Sequence, residues 1–558
     1  MNATSTTFAG LLNSPYRYVI PLFQRDYVWK KKDWENLWDD VIELREAQQK
    51  TRTHFMGSLV FVAGQSAPPH LPTFQVIDGQ QRLITLSILF CALRDVASDH
   101  GFSGLASDIT NYYLTHPKKD EEQFRIYPRW RDRDQYIAAV GHKIVPGETI
   151  SSALTFFSTQ IEKELDVTSE DSLRALFDML CQRLEFVQIT LTVDDYPFQI
   201  FRSLNTAGVD LAESDLVRNF MFMKVGLQDE DDFDAKWWGP LERHFEHGDP
   251  KQKGNLDGKA FSGFLRDFLM HEGIYVGLNS TFERFEARYK DAADPIKVVE
   301  ELNWYVELYD AIRGLKARTL LDAKLEESLK QFRQLENSTP YPLVLELLSR
   351  VKNTTMTSND ASHAIGLISG FILRRYVCNL TSRTYGKWFV TACAQLQDIP
   401  LENLRAFLQD KGYPDDADFQ EAFTNFDMYN GNYARTILKA LEMSLPHKEK
   451  PDLSTVSDVE HIMPQKLTKE WVAMIGPQDG PVHRRWLHAP GNLTITAYNG
   501  ELARKSFLEK RKIYQNSNFG LTRRLYQPNI LIWDQSQIQA RGRWMAELAK
   551  DIWINSNF

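Results

Sequence analysis

The run VEHIMPQKL (459–467) sets a carboxylate, Glu460, beside an imidazole, His461, in what reads as a short strand stopped by Pro464. Further on, PGNLTITAYNGELARKS (490–506) reads as a second strand around Asn492 that leads into a helix near Asn499. A neutral imidazole, with a reference pKa of about 6.5, can take a proton from an attacking water. The Glu460 carboxylate and the Asn499 amide are hard oxygen donors, suited to a divalent ion such as Mg²⁺ that stabilises charge on phosphorus and on the leaving oxygen. Asn492, between them in the chain, would brace the loop and fix the histidine ring. Glu-His, Asn and Asn in this order point to phosphodiester hydrolysis. Asp458, on the same strand face as Glu460, is a rival ligand. A histidine before a proline is often only a strand-end residue, and GNL only a turn; the ordered set carries the reading. Lys510 and Arg511 in the following basic helix are candidates for phosphate contact, with a solvated helix face as the alternative.

A second cluster lies near the N-terminus. FQVIDGQQRLITLSIL (74–89) runs from a strand into a helix, with Asp78 and Gly79 at the joint and Gln80, Gln81 and Arg82 in the first turn. Helix starts expose unpaired N–H groups that suit a phosphate, and Gly79 lets the backbone approach it. Arg82 adds a planar donor fork, and Asp78 is placed to hold a magnesium ion or orient a water. The Walker A pattern GxxxxGK[ST] is absent. Gln24 and Arg25, in YVIPLFQRDYVWKKKDWENLW (18–38), and Asn205, in IFRSLNTAGVDLAESDLVRNFMF (200–222), add polar side chains beside apolar helices, a pattern that suggests a pocket. A bland alternative is a DG turn with an arginine paired to a nearby acid, and Trp29 and Trp34 as core.

These residues need a scaffold. Residues 1–225 mix strands, HFMGSLVFVAG (54–64), FQVID (74–78) and QITLTV (188–193), with a helix over 81–97, an α/β or α+β domain. From 226 to 445 apolar residues recur at helical spacing with no fixed repeat, a helical connector. SLPHKEKPDLSTVS (444–457) reads as a linker into a C-terminal domain, 446–558, closed by a helix whose apolar face includes Ile538, Met545, Leu548 and Ile552 with Arg541. The 558 residues, 43% hydrophobic, can bury several cores. Cys91, Cys181, Cys378 and Cys393 lack zinc or disulfide spacing and read as small hydrophobes. Net charge is −9, which disfavours a surface coating nucleic acid indiscriminately, yet residues 483–545 hold eleven Lys/Arg against three acids. Neither a signal peptide nor an apolar stretch of membrane-spanning length is apparent, so the expected location is the cytoplasm, with no membrane partner.

EHIMPQ, Trp471, GNLTIT, Asn499 and SFLEKRKIYQNS (506–517) together resemble the HNH branch of the His-Me finger nucleases, most closely the C-terminal domain of GmrSD-like restriction proteins. The family's acid before the histidine is more widely Asp, and here it is Glu460. IPLFQRDYVW, HFMGSLV, DGQQR and FRSLNTAGVDLAESDLVRN resemble the N-terminal domain of the same family, and GFILRRYVCNLTSRTYGKWF (370–389) its helical connector. The resemblance implies an α+β multi-domain chain: an N-terminal ParB/sulfiredoxin-like α/β domain associated with nucleotide binding and hydrolysis, a mostly helical middle, and a C-terminal ββα-metal (HNH) nuclease domain. It further implies a metal-dependent DNA endonuclease, regulated by a nucleoside triphosphate, that restricts modified or phage DNA. GTP, UTP and ATP stay open as the nucleotide, as does a homo-oligomer. The alternatives are a nucleotide-gated nucleic-acid-binding protein with an inactive nuclease domain, or an RNase.

Overall fold

The computed structural model describes the chain except for residues 1, 23, 25, 48–51, 65–69, 119, 129–131, 146, 192–211, 226–228, 247–255, 316–321, 448, 450, 456–457, 503 and 555–558, and the side chains of 121, 455 and 499. It is α+β, 61% helical with a mixed sheet, as the sequence led us to expect. Its contacts divide it into two units, Met1–Ser262 with Phe282–Glu300, and Gly263–Thr281 with Glu301–Phe558.

In the first unit six strands form one sheet: β1 (Asn2–Thr7), β2 (Arg17–Ile20), β3 (His54–Ala63), β4 (Thr73–Asp78), β5 (Ile126–Pro128) and β6 (Leu184–Leu191), in the order β1-β6-β3-β4-β2-β5. β6 begins before the QITLTV run that signalled it, because Leu184 and Phe186 also face the core. β4 pairs antiparallel with β3 and parallel with β2, so the Asp78 end of β4 lies inside the sheet rather than at an edge. From there the chain enters helix Gln80–Asp99, which is apolar nearly all round and correspondingly buried, with Leu83, Leu86, Phe90 and Leu93 fully out of solvent. Each such side chain contributes roughly 1.5–3 kcal/mol of burial, enough to make this helix the rigid axis of the unit. Arg94, also fully buried, is compensated by donating to the carbonyls of Ala139 and Val140.

The second unit is helical up to Ser444 and then adds an antiparallel pair, β7 (Asp458–His461) and β8 (Leu493–Thr496), with Glu460 opposite Thr494 and His461 opposite Leu493. The terminal helix Gln535–Ile552 buries Ile538, Met545 and Ala549 and crosses close over the PGN turn. Gly491 permits that crossing, since a Cβ there would run into the Ile538 carbonyl. Arg541 serves the contact rather than solvent. It is buried and donates to the carbonyls of Leu493 (2.6 Å) and Gly491 (3.0 Å).

The unit division coincides with neither expected domain boundary. Helix Ala434–Ser444 already packs on β7, β8 and the terminal helix. Its fully buried Glu442 accepts from the N–H groups of Gly520 (2.6 Å) and Leu521 (2.7 Å), and His447, inside the expected linker, bonds the Glu442 carbonyl. A further tie joins the chain end to the helical part. Arg374, on helix Ser358–Val377, is fully buried and donates to the Trp553 carbonyl (2.6 Å), the Pro414 carbonyl (3.2 Å) and the Asp416 carboxylate (2.7 Å). The cysteines are free thiols, three buried and Cys378 half-buried.

Candidate functional site

Asn492 sits where β8 begins and is fully buried. Its Oδ1 accepts from the Met463 N–H (2.8 Å) and from Trp533 Nε1 (3.2 Å), and its Nδ2 donates to the carbonyls of Met463 (3.0 Å) and Leu487 (2.8 Å). The Ile462 N–H donates to the Asn492 carbonyl as well. Every polar atom of the amide is engaged, tying the turn that follows His461 to Leu487 and Trp533. Asn492 is therefore a positioning residue that fixes the loop and does not face outward to a substrate.

His461 ends β7 with only 6% of its surface exposed. Its Nε2 lies 3.1 Å from Nδ1 of His488, so one ring donates to the other, and its Nδ1 is 3.4 Å from the Gln465 amide. Tyr429 packs on both rings, stacked on His488 at 12° and with its centroid 4.3 Å from that of His461. Burial, reinforced by His488 and by the Lys510 charge, pushes the His461 pKa down to about 3. The ring is neutral across the working pH range and carries a lone pair. Neither His488 nor Tyr429 stood out in the sequence. Each meets His461 only through the fold, and the one available signal was that His488 lies two residues before the PGN turn.

Glu460 is also buried, and as the strand neighbour of His461 it leaves the chain toward the other face. Its Oε1 accepts from Lys510 Nζ at 2.5 Å, and the same ammonium donates to the His461 carbonyl at 2.8 Å. Burial raises the Glu460 pKa and lowers that of Lys510, while their mutual attraction opposes both shifts. Lys510 is 0% exposed, which corrects its expected role: it holds the Glu460–His461 strand and does not reach a phosphate. Arg511 is half-buried, donates to the Gln527 carbonyl and lies over the Tyr526 ring, so it secures that turn. Apart from Lys510 and Arg541, the basic residues of 483–545 are at least partly exposed. The rival ligand Asp458 is exposed and ion-paired with Arg435 (3.3 Å). The Asn499 side chain lies outside the described residues, and among these no group of three His, Cys, Asp or Glu is arranged to hold a metal. The Glu460 carboxylate has the donor chemistry a hard divalent cation takes, and Lys510 is the group such an ion would displace from it.

In the first unit, Gly79 precedes helix Gln80–Asp99 with φ +95°, and a Cβ there would run into the Leu59 side chain. No side chain caps this helix start. Arg82 NH2 is 3.4 Å from the Asp78 carboxylate and its NH1 donates to the Met56 carbonyl (2.9 Å); burial lowers the Arg82 pKa. Both side chains keep about a fifth of their surface exposed, 22% and 23%. Gln24 and Gln81 differ from the expectation of ligands. Gln24 Nε2 donates to the Ile77 carbonyl (2.8 Å), while Gln81 accepts from the Val28 N–H (2.9 Å) and donates to the Asp26 carbonyl (3.1 Å). Both are buried and hold the 21–30 loop against the joint. Tyr27 completes that frame through Thr85 (2.7 Å) and Trp34 Nε1 (2.9 Å). Gln80 is buried beside them, and Arg25 and Asn205 lie outside the described residues.

Two family models match the chain. One, described as the N-terminal domain of GmrSD restriction endonuclease, covers residues 8–222 and includes the Asp78–Arg82 joint. The other, described as the C-terminal domain of GmrSD restriction endonucleases, covers residues 413–548 and includes the paired histidines together with helix Ala434–Ser444. Together they span more than half of the chain. No curated protein matches it.

Proposed function

The chain belongs to the GmrSD restriction endonuclease family, and so is a restriction nuclease with DNA as its substrate; from that premise we propose that the cut is made at His461 in an HNH-type site. The observation that carries this reading is the geometry of the His461–His488 pair: a buried ring at the end of β7, 3.1 Å from a half-exposed one. His461 takes the proton of the attacking water. The two rings share a hydrogen bond, so that proton can pass toward His488 and solvent without leaving a charge stranded in the interior. Asn492 holds the turn and Lys510 holds the His461 carbonyl, so the ring meets substrate already oriented.

Metal dependence is part of the same proposal. Mg²⁺ or another divalent ion, with Glu460 and Asn499 as its protein donors, would supply Lewis-acid stabilisation of the charge growing at the phosphate, which requires the Glu460 carboxylate to leave Lys510 and turn toward the His461 side. A third part concerns regulation. We assign a nucleoside triphosphate (GTP, UTP or ATP) to the helix start at Gly79–Arg82, with Asp78 beside its phosphates, and modified or phage DNA as the target. Among the described residues no helix is long and apolar enough to cross a membrane.

The test is His461→Ala in the full chain. Nicking of plasmid DNA should be lost while the melting curve and nucleotide hydrolysis are retained. Cutting that survives in the purified variant removes His461 from the reaction. The same assay on structured RNA separates a DNase from an RNase, and absence of cutting by the wild type on either substrate favours a binding protein with an inactive nuclease domain.

A further inference from the structure

Beside the paired histidines, within the second unit, lies a groove of about 850 Å³. One wall is the turn after helix Ala323–Arg333, with Gln334 and Glu336; the other is the 429–433 turn with the first residues of helix Ala434–Ser444; Asp458 and Val459 of β7 complete the lining. Tyr429 belongs both to this groove and to the histidine cluster, and the residue is 37% exposed although its ring stacks on His488.

The chemistry of the lining selects among occupants. Gln334 and Asn432 carry amides that can donate and accept, and Asn432 is exposed. The charges are Glu336, Asp458 and Arg435, with Arg435 already paired to Asp458, so the lining leaves no positive surplus for a run of phosphates. Exposed cationic side chains occur instead on helix Pro481–Trp486, where Arg484 and Arg485 lie four and three residues before His488 in the chain. Phosphates are therefore favoured at the histidine side and uncharged, flat, hydrogen-bonding groups in the groove. Nucleobases are such groups, and the volume lies within the range of about 300–1,000 Å³ typical of small-ligand sites.

We propose that this groove receives unpaired bases of the DNA strand being cut, with Tyr429 as the platform on which the base next to the scissile phosphate stacks. The inference rests on the nuclease reading above and adds to it a substrate state: the strand is unstacked at the point of cleavage rather than cut within an intact duplex. Tyr429 is held rigid by His488, which makes its ring a fixed surface, and the same contact places the stacked base beside His461.

The experiment measures binding apart from cutting. Fluorescence anisotropy of the full chain in EDTA compares a labelled single-stranded DNA of about twelve nucleotides and mixed sequence with a blunt duplex of the same length. Tyr429→Ala should weaken single-strand binding roughly tenfold or more, Tyr429→Trp should retain it, and the duplex, held by phosphate contacts outside the groove, should change by less than about threefold. Asn432→Trp, which fills the groove from an exposed position, should weaken the single strand likewise and leaves the histidine cluster untouched. The proposal is overturned if the wild type does not bind the single strand, if the alanine and tryptophan variants at 429 bind it equally well, or if both probes lose affinity alike. Plasmid nicking by the wild type is run in parallel. Nicking together with a failed binding pattern removes only the groove; no nicking removes the nuclease reading, while the binding comparison still stands or falls by itself.

Discussion

Replacing Lys510 by methionine tests the interior support of the site. The change keeps the length and apolar body of the side chain and removes the ammonium that bonds Glu460 Oε1 at 2.5 Å and the His461 carbonyl at 2.8 Å. Glu460, 5% exposed, is left as a buried carboxylate without its counter-charge. Breaking a buried pair from one side costs about 3–5 kcal/mol, and the orphaned carbonyl bond falls within that sum. The loss is local, so it is read best by hydrogen exchange in peptides covering 458–463 and 493–496, where protection should fall by two or more orders of magnitude (each factor of ten being about 1.4 kcal/mol). Adding Glu460→Gln should restore a large part, because a neutral amide no longer needs the ammonium; the pair then shows a coupling of roughly 1–3 kcal/mol. The sign with pH follows from the raised Glu460 pKa. A carboxyl whose folded pKa lies above its unfolded value is stabilising while protonated and loses that contribution as pH rises through the folded value, so the deficit of the single variant should shrink toward acid pH. Wild-type protection in Lys510→Met at neutral pH would refute the view that this pair holds the strand.

Two further outcomes are expected. With the His461 pKa pushed down to about 3, the acidic limb of kcat/KM for nicking should stay flat well below the usual imidazole value of about 6.5, and half-loss of rate near that value would mean the ring is solvated in the working enzyme. Gly79→Ala forces a Cβ into Leu59 at φ +95°; titration calorimetry with ATP, GTP and UTP should show nucleotide affinity reduced at least tenfold, with plasmid nicking in the absence of nucleotide unaffected, and unchanged affinity would move the phosphate site elsewhere.

Much of the scaffold was legible because its signals are local. The β-rich run 54–64 marked β3, the apolar run 81–97 marked the central helix, and the spacing of Ile538 and Met545 marked the terminal one. The places of His461 at the end of β7 and of Asn492 at the start of β8 could be read because both residues lie in short local motifs. What failed depended on contacts between distant segments. A lysine on a short helix reads as solvated, and nothing around residue 510 discloses the carboxylate of residue 460 beneath it. Gln24 and Gln81 looked like ligands because polar residues near a helix start usually face outward, whereas here they secure an adjoining loop. The stretch 444–457 has a linker's composition, yet Glu442 and His447 bind it to the domain it introduces.

The Arg374 contacts bear on how this chain can be cut into parts. A fragment begun at residue 446 would contain every catalytic candidate of the C-terminal half, yet its last helix would surrender the anchor that Arg374 gives at Trp553, and the Gly520–Leu521 turn would lose Glu442. The helical middle is thus a chassis for the nuclease rather than a spacer before it. Whatever moves helix Ser358–Val377 pulls directly on the far terminus.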